Sequence, residues 1–242
     1  MREIIKRGVF ALALVVAISM IAGCGPNLIR KQIESSVARK LPDLIGPAKS
    51  YQVRAYGSTL RMMRGKLARL DITGHDVKLS NGLTVSRLFV RIDNISFNTD
   101  TKQIKSVDKT EYSASLSKKE LNQYLKKRYS NIPGLQLTLG KGMIGFTTRP
   151  GLLGLKFGVR GTAELLIRNE KILALNLQKL RIAGIPAPAF ARRLLDSRLD
   201  TIFDAEDLGF GATIKSVDIK PGLLTLNGDL DLMKIIKQNQ KT

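Results

Sequence analysis

Between Asn27 and Leu41 the apolar residues Ile29, Ile33, Val37 and Leu41 recur at every fourth position, with Arg30, Lys31, Arg39 and Lys40 between them. That spacing lays one apolar stripe along a helix, which Pro42 is expected to end. The stripe needs a partner, and either the domain's own sheet or a bilayer would serve. From Tyr51 to Phe97 the period falls to two: Leu67, Leu70 and Ile72, then Val77 and Leu79, then Leu83, Val85, Leu88, Val90, Ile92, Ile95 and Phe97. These are strands punctuated by Gly65, Gly74 and Asn81-Gly82, the last a two-residue hairpin signal. Ser117 and Glu120 form a capping box that opens a second helix running to about Tyr129, with Leu121, Tyr124, Leu125 and Tyr129 on one side.

Strands then resume. Leu135, Leu137 and Leu139 alternate, Lys141-Gly142 turns the chain, and strands are expected over 143–147, 153–160, 163–168 and 173–180. A third helix is predicted from Pro188 to Phe203, with Phe190, Leu194, Leu195, Leu199, Ile202 and Phe203 on one wide apolar face. Two last strands, 212–220 and 223–232, meet at Pro221-Gly222. The hairpins at 67–97 and 143–182 echo each other weakly, without a repeated motif. The order predicts an α+β fold of mostly antiparallel hairpins with few helices.

The first residues stand outside that pattern. Arg2, Lys6 and Arg7 precede an apolar run from Val9 to Ile21 and the small pair Ala22-Gly23 before Cys24. The run is short of the ~20 residues a membrane span needs, and its three parts are those of a secretory signal. Ile21 three positions before the cysteine makes it a lipobox, so residues 1–23 read as a removed signal and Cys24 as the lipidated residue. An acyl anchor of two or more chains holds a protein firmly at a membrane. The expected location is therefore extracytoplasmic, tethered to a bacterial membrane, inner or outer. Residues 24–27 form a short tether, 28–232 the domain and 233–242 a polar tail.

Cys24 is the only cysteine, which leaves the mature chain without a disulfide, thiolate cluster or catalytic thiol. The formal charge of +20 falls by two when the signal's three cations and Glu3 are removed. So basic a chain suits an anionic partner: nucleic acid, an acidic polymer or an anionic lipid surface. Export argues against nucleic acid, as does 5% aromatic content with no Trp to stack on bases.

Catalytic constellations are few. His75, the single histidine, lies between Asp71 and Asp76 in a stretch that reads as a polar turn around Gly74 better than as an acid/base or metal site. No nucleophile elbow, phosphate-binding loop, dinucleotide fingerprint or zinc-protease motif occurs. Asp196, Asp200, Asp204, Glu206 and Asp207 share their stretch with Arg192, Arg193 and Arg198, as on a solvated, salt-bridged face. Neither enzyme activity, a metal nor a cofactor is expected. The aliphatic supply is the more telling feature. Runs such as Leu152-Leu153 with Leu155, and Ile172 to Leu177, fit either an ordinary core or the lining of an acyl-chain tunnel.

The run from Leu60 to Ile72 around Gly65, then Asn81-Gly82-Leu83-Thr84-Val85 and the strand to Phe97, resembles the LmeA-like phospholipid-binding family. So do Leu180 to Pro186 and the closing Ile214–Ile219 and Leu223–Gly228, and the likeness spans about residues 28–232. It implies an extracytoplasmic fold similar to the tubular lipid-binding proteins, in which a long helix lies along a strongly twisted, mostly antiparallel sheet around an apolar groove. It also implies a phospholipid ligand, especially an anionic one, and a role in envelope lipid transfer or homeostasis. The lipobox departs from that pattern and favours a tethered protein over a diffusing one. On this reading Arg61, Arg64, Lys66 and Arg69, and next Lys126, Lys127 and Arg128, meet headgroups. Leu60, Met62, Met63, Phe190 and Leu194 line the groove. The alternative is a structural lipoprotein that holds anionic cell-wall polymer on its basic surface.

Overall fold

The computed structural model describes residues 26–99, 104–130, 134–148, 158–189, 192–193, 201–208 and 211–233. The four-residue stripe folds as expected into a helix, α1 (Pro26–Leu44), whose Ile29, Ile33, Val37 and Leu41 are all buried. They pack on the first strand, β1 (Ser50–Tyr56), which runs back along the helix. Glu34 Oε1 accepts from the Ala55 N–H at 2.9 Å and Arg30 Nη2 donates to the Gly57 carbonyl at 3.3 Å. The stripe is thus spent on the protein's own sheet. Pro42 lies inside the last turn rather than ending the helix, and the Ile45 N–H closes that turn on Leu41 O at 2.8 Å.

After β1 come a one-turn helix α2 (Thr59–Met63), then β2 (Lys66–Lys78), β3 (Thr84–Phe97), β4 (Ile104–Ser106), β5 (Lys109–Ser117) and helix α3 (Lys118–Arg128). The chain continues through β6 (Gln136–Leu139), β7 (Ile144–Thr148), β8 (Val159–Arg168), β9 (Ile172–Ile182), β10 (Ile185–Pro186), β11 (Phe203–Asp204), a 3-10 turn, β12 (Ser216–Lys220) and β13 (Leu223–Asp229). Two open sheets result, antiparallel at every pairing. The first has the order β1-β2-β3-β5-β13-β12 with β4 beside β3, and the second β10-β9-β8-β7-β6 with β11 beside β9. Side chains of both sheets and of α1, α2 and α3 join in one apolar cluster.

Several expected turns are not turns. Gly74 and His75 sit within β2, paired to Tyr51 and Ser50 on one side and to Leu88 and Arg87 on the other. A Cβ at Gly74 would lie 2.6 Å from Val77 Cγ2 and 2.8 Å from the Tyr51 ring, so this glycine makes room both for its own strand's Val77 and for an aromatic on the neighbouring strand. The strands expected over 153–160 and 163–168 are one, β8, as far as the described residues reach; a register shift falls between Thr162 and Ala163. Gly161 there leaves space for the Phe146 ring, which a Cβ would approach to 2.3 Å. The Asn81-Gly82 hairpin is present but has three loop residues, with the Leu79 N–H donating to Leu83 O at 2.8 Å and Asn81 Oδ1 accepting from the Leu83 N–H at 3.0 Å.

Of the third predicted helix, residues 194–200 lie outside the described residues, as do the 149–157 stretch and the signal segment. Its expected end is not helical: Phe203 pairs with Leu173 in β11. Helix α3 matches its prediction closely. Ser117 caps it with both halves of the capping box formed, and Leu121, Tyr124 and Leu125 are buried. It also fastens the two sheets. Glu120 accepts from the hydroxyl of Ser86 in β3, while Asn122 clasps β6, donating to Leu137 O at 2.9 Å and accepting from the Leu137 N–H at 2.6 Å.

Candidate functional site

The basic run after β1 is built on α2. Ser58 starts the turn, its hydroxyl accepting from the Arg61 N–H at 3.4 Å. Gly65 ends it with φ 74°, and its carbonyl accepts from the Phe97 N–H at 2.9 Å. A Cβ at Gly65 would lie 2.2 Å from Phe97 O, so only glycine lets α2 dock this close to the end of β3. Met62, 1% exposed, plugs the turn into the core, whereas Leu60 and Met63 are 59% and 57% exposed. Arg61, Arg64 and Lys66 are exposed around them. Of the expected groove residues on this element, one is therefore core and two face outward.

Arg69 is turned to another task. Its guanidinium stacks over the Tyr56 ring at 4.0 Å, and its Nε lies 3.4 Å from Asp71 Oδ1, within ion-pair distance but off hydrogen-bond geometry. Arg91 Nε donates to the same oxygen at 3.3 Å. Asp71 is thus held between two arginines on adjacent strands. Among the described residues no three histidine, cysteine or carboxylate side chains come together to hold a metal ion.

Lys126, Lys127 and Arg128 are exposed in the last turn of α3, where cations complement the helix dipole. Arg128 Nη1 donates to the Tyr124 hydroxyl at 3.2 Å. The two basic groups stand on separate supports, α2 against α1 and β2, and α3 against β3, β5 and β6.

The apolar site lies elsewhere, where the two sheets meet. Leu116, Leu224 and Leu226 come from the first sheet, Leu121 and Tyr124 from α3, Leu173 from β9, and Ile202 and Phe203 from β11 and its approach; Leu83 completes the lining. Among the described residues no charged side chain enters it. Its free volume is about 10 Å³, room for one water-sized sphere, against the several hundred Å³ of a ligand pocket. Phe190 and Leu194 lie outside the described residues, but Ile202 and Phe203 of the same predicted apolar face do reach this seam. Sequence reasoning did not assign the other lining residues to a site. One signal was available: in Ile172 to Leu177 the side chains of Leu173, Ala174 and Leu175 are all buried, so both faces of β9 are covered there.

Two further clefts are polar, one edged by Lys109, Lys215 and Asp229, the other by Lys141, Glu164 and Asp218. Beside the first, Tyr112 is buried with its hydroxyl unpaired; burial first, and the Asp229 carboxylate second, push it up to about 12. Glu120 shows the opposite balance. Burial would raise it, but the hydroxyls of Ser86 and Ser117 and the Ser117 N–H outweigh that and hold it below the usual carboxylate range. No helix among the described residues is long and apolar enough to cross a membrane.

A family model described as LmeA-like phospholipid-binding matches residues 24–229. No curated protein and no solved structure matches the chain. With most of its length matched, the chain belongs to the LmeA-like phospholipid-binding family, a family defined by binding rather than by a reaction.

Proposed function

We propose that this family member is a lipoprotein, tethered through Cys24 on the extracytoplasmic side of a bacterial membrane, that takes phospholipid acyl chains into the seam between its sheets for envelope lipid transfer or homeostasis. The observation that carries the reading is the composition of that seam: two sheets and α3 converge there with aliphatic and aromatic side chains and, among the described residues, no charge. Such walls suit acyl chains because they offer contact without asking for hydrogen bonds. At about 10 Å³ the seam must part to admit a lipid. Separating Ile202 and Phe203 from α3 and β13 would open it, since these two enter from a short pairing, two residues of β11 on β9. The tubular groove expected of the family would run along this line, and a headgroup left in water would be anionic to suit the basic surface.

Native mass spectrometry and lipid extraction of the chain from Gly25 onward test this. Phospholipid copurifying in fixed stoichiometry and surviving high salt is the expected result, because buried chains are not screened. Leu121→Phe should lower that stoichiometry by filling the seam, at a cost in stability of about 1–3 kcal/mol. A chain that arrives empty and also refuses added anionic phospholipid overturns the reading. Salt-sensitive binding of wall polymer by such an empty chain would favour the scaffold instead.

A further inference from the structure

Seven large apolar side chains are exposed among the described residues, and three of them, Leu28, Leu60 and Met63, belong to the first turn of α1 and to α2. These elements are neighbours: α1 and α2 are in contact, and Arg30 donates to Gly57 O just before α2, while Leu28 lies on the other side of α1. Around them stand Arg30, Arg61, Arg64 and Lys66, all exposed. From Gly57 to Leu70 the sequence contains no carboxylate, and among the described residues none pairs with Arg61, Arg64 or Lys66. Exposed apolar side chains ringed by unpaired cations are what an interfacial membrane anchor presents: the apolar groups enter the headgroup boundary by about 5–10 Å while the cations meet lipid phosphates.

We infer that Leu60 and Met63 form a docking tip that inserts into the surface of an anionic phospholipid bilayer. The charge around the tip selects that occupant. A second copy would bring the same cations face to face, whereas an anionic bilayer complements them. Chain length agrees, because Cys24 is two residues before the start of α1, so a lipid on its sulfur would hold this end of the molecule against the membrane. Met62 fixes the tip rigidly, since its burial and the close approach of Gly65 to Phe97 tie α2 to the core. The inference rests on the proposal that the chain works at a membrane but not on the acyl seam.

The test uses the mature chain purified from membranes and reconstituted into vesicles. Cys24 is the only native cysteine, so with its sulfur lipidated a new thiol at position 63 is the only one open to label. The Met63→Cys variant carries an environment-sensitive fluorophore; Lys49→Cys, exposed just before β1 and thus at that strand's far end from α2, is the reference. On vesicles containing phosphatidylglycerol the label at position 63 should shift to shorter wavelength and lose intensity when the lipids are brominated, while the label at position 49 changes in neither respect. Combining Met63→Cys with Arg61→Glu and Arg64→Glu should abolish the shift. A position-63 label that stays in water on those vesicles overturns the docking tip. So does a shift that appears without vesicles and grows with protein concentration, which would assign the patch to a second copy. Labelling of the unaltered chain would overturn the anchor at Cys24, and with it the reason for this end to face the membrane. Lipid counted by native mass spectrometry on the Met63→Cys variant alone reports the seam separately, and is expected to stay unchanged.

Discussion

The long hairpins β2–β3 and β8–β9 are built from the same aliphatic alternation, yet they do different work. In β2–β3 the register is constant from Lys66 opposite Ser96 to Lys78 opposite Thr84, and Val85, Leu88, Val90, Ile92, Ile95 and Phe97 are buried, the alternation stepping by three only between Val85 and Leu88 and between Ile92 and Ile95. The other face carries Arg69, Asp71 and Arg91, paired among themselves in water's reach. In β8–β9 the register slips between Thr162 and Ala163, three consecutive residues of β9 are buried, and Leu166 of β8 is exposed. One hairpin is a wall with a single inner face. The other is covered on both faces at its centre and unevenly along its length, and it abuts the apolar seam. A constant register with one buried face therefore marks the scaffold, and a slipped register with burial on both faces marks where a sheet is asked to hold something besides its own core.

The strongest way to probe that difference is truncation of a core side chain packed on each hairpin, Phe146 of the adjacent β7 for the second and Leu70 for the first. Phe146→Ala empties the space that Gly161 leaves in the second sheet and should cost about 3–5 kcal/mol, and Leu70→Ala in β2 about 2–5 kcal/mol, both read from urea unfolding. If the hairpins divide labour, the folded fraction of Leu70→Ala keeps its lipid stoichiometry while that of Phe146→Ala does not. Equal loss in both variants would erase the distinction. A smaller effect is expected where α3 joins the sheets: Asn122→Leu removes both bonds to Leu137 and strands that backbone, at roughly 1–3 kcal/mol, with hydrogen exchange faster at β6 than in β3.

The smallest effect concerns Glu120, which braces Ser86 of the first sheet. Its carboxyl is held below the usual carboxylate range in the folded chain, so its contribution is full above the unfolded value near 4.5 and is lost as pH falls through the folded one. Stability should decline more steeply across that acid range in the parent than in Glu120→Gln, measured by thermal melts from pH 6 downward. Parallel pH profiles for the two proteins would show that the brace carries no charge-dependent stability.

Much of the scaffold could be read before the structure. The four-residue stripe of α1, the capping box of α3 and the hairpin ending at Asn81-Gly82 are local devices whose physics is complete within a dozen residues. What could not be read depends on distant chain. Gly74 and Gly161 look like punctuation because the rings that need their missing Cβ, Tyr51 and Phe146, lie on other strands. Helix α2 is a single turn, too short for any period, and its burial of Met62 between exposed Leu60 and Met63 is set by the Gly65 contact with Phe97. The seam draws residues from several elements, so Leu116, Leu173 and Leu226 carried no shared motif. The basic residues of α2 were legible as a group, but Arg69 was not separable from them until Tyr56 and Asp71 were seen beside it.

Strand β6 lies at the rim of the second sheet, where an unpaired row of N–H and C=O groups would be a template for another chain. The side-chain amide of Asn122 imitates the next strand there, answering both polar groups of Leu137. For proteins tethered in a bilayer plane, neighbours meet far more often than in free solution, and an open rim would recruit them into ladders. On the proposed tether, a single asparagine would thus keep the β6 rim from recruiting a neighbouring copy at Leu137.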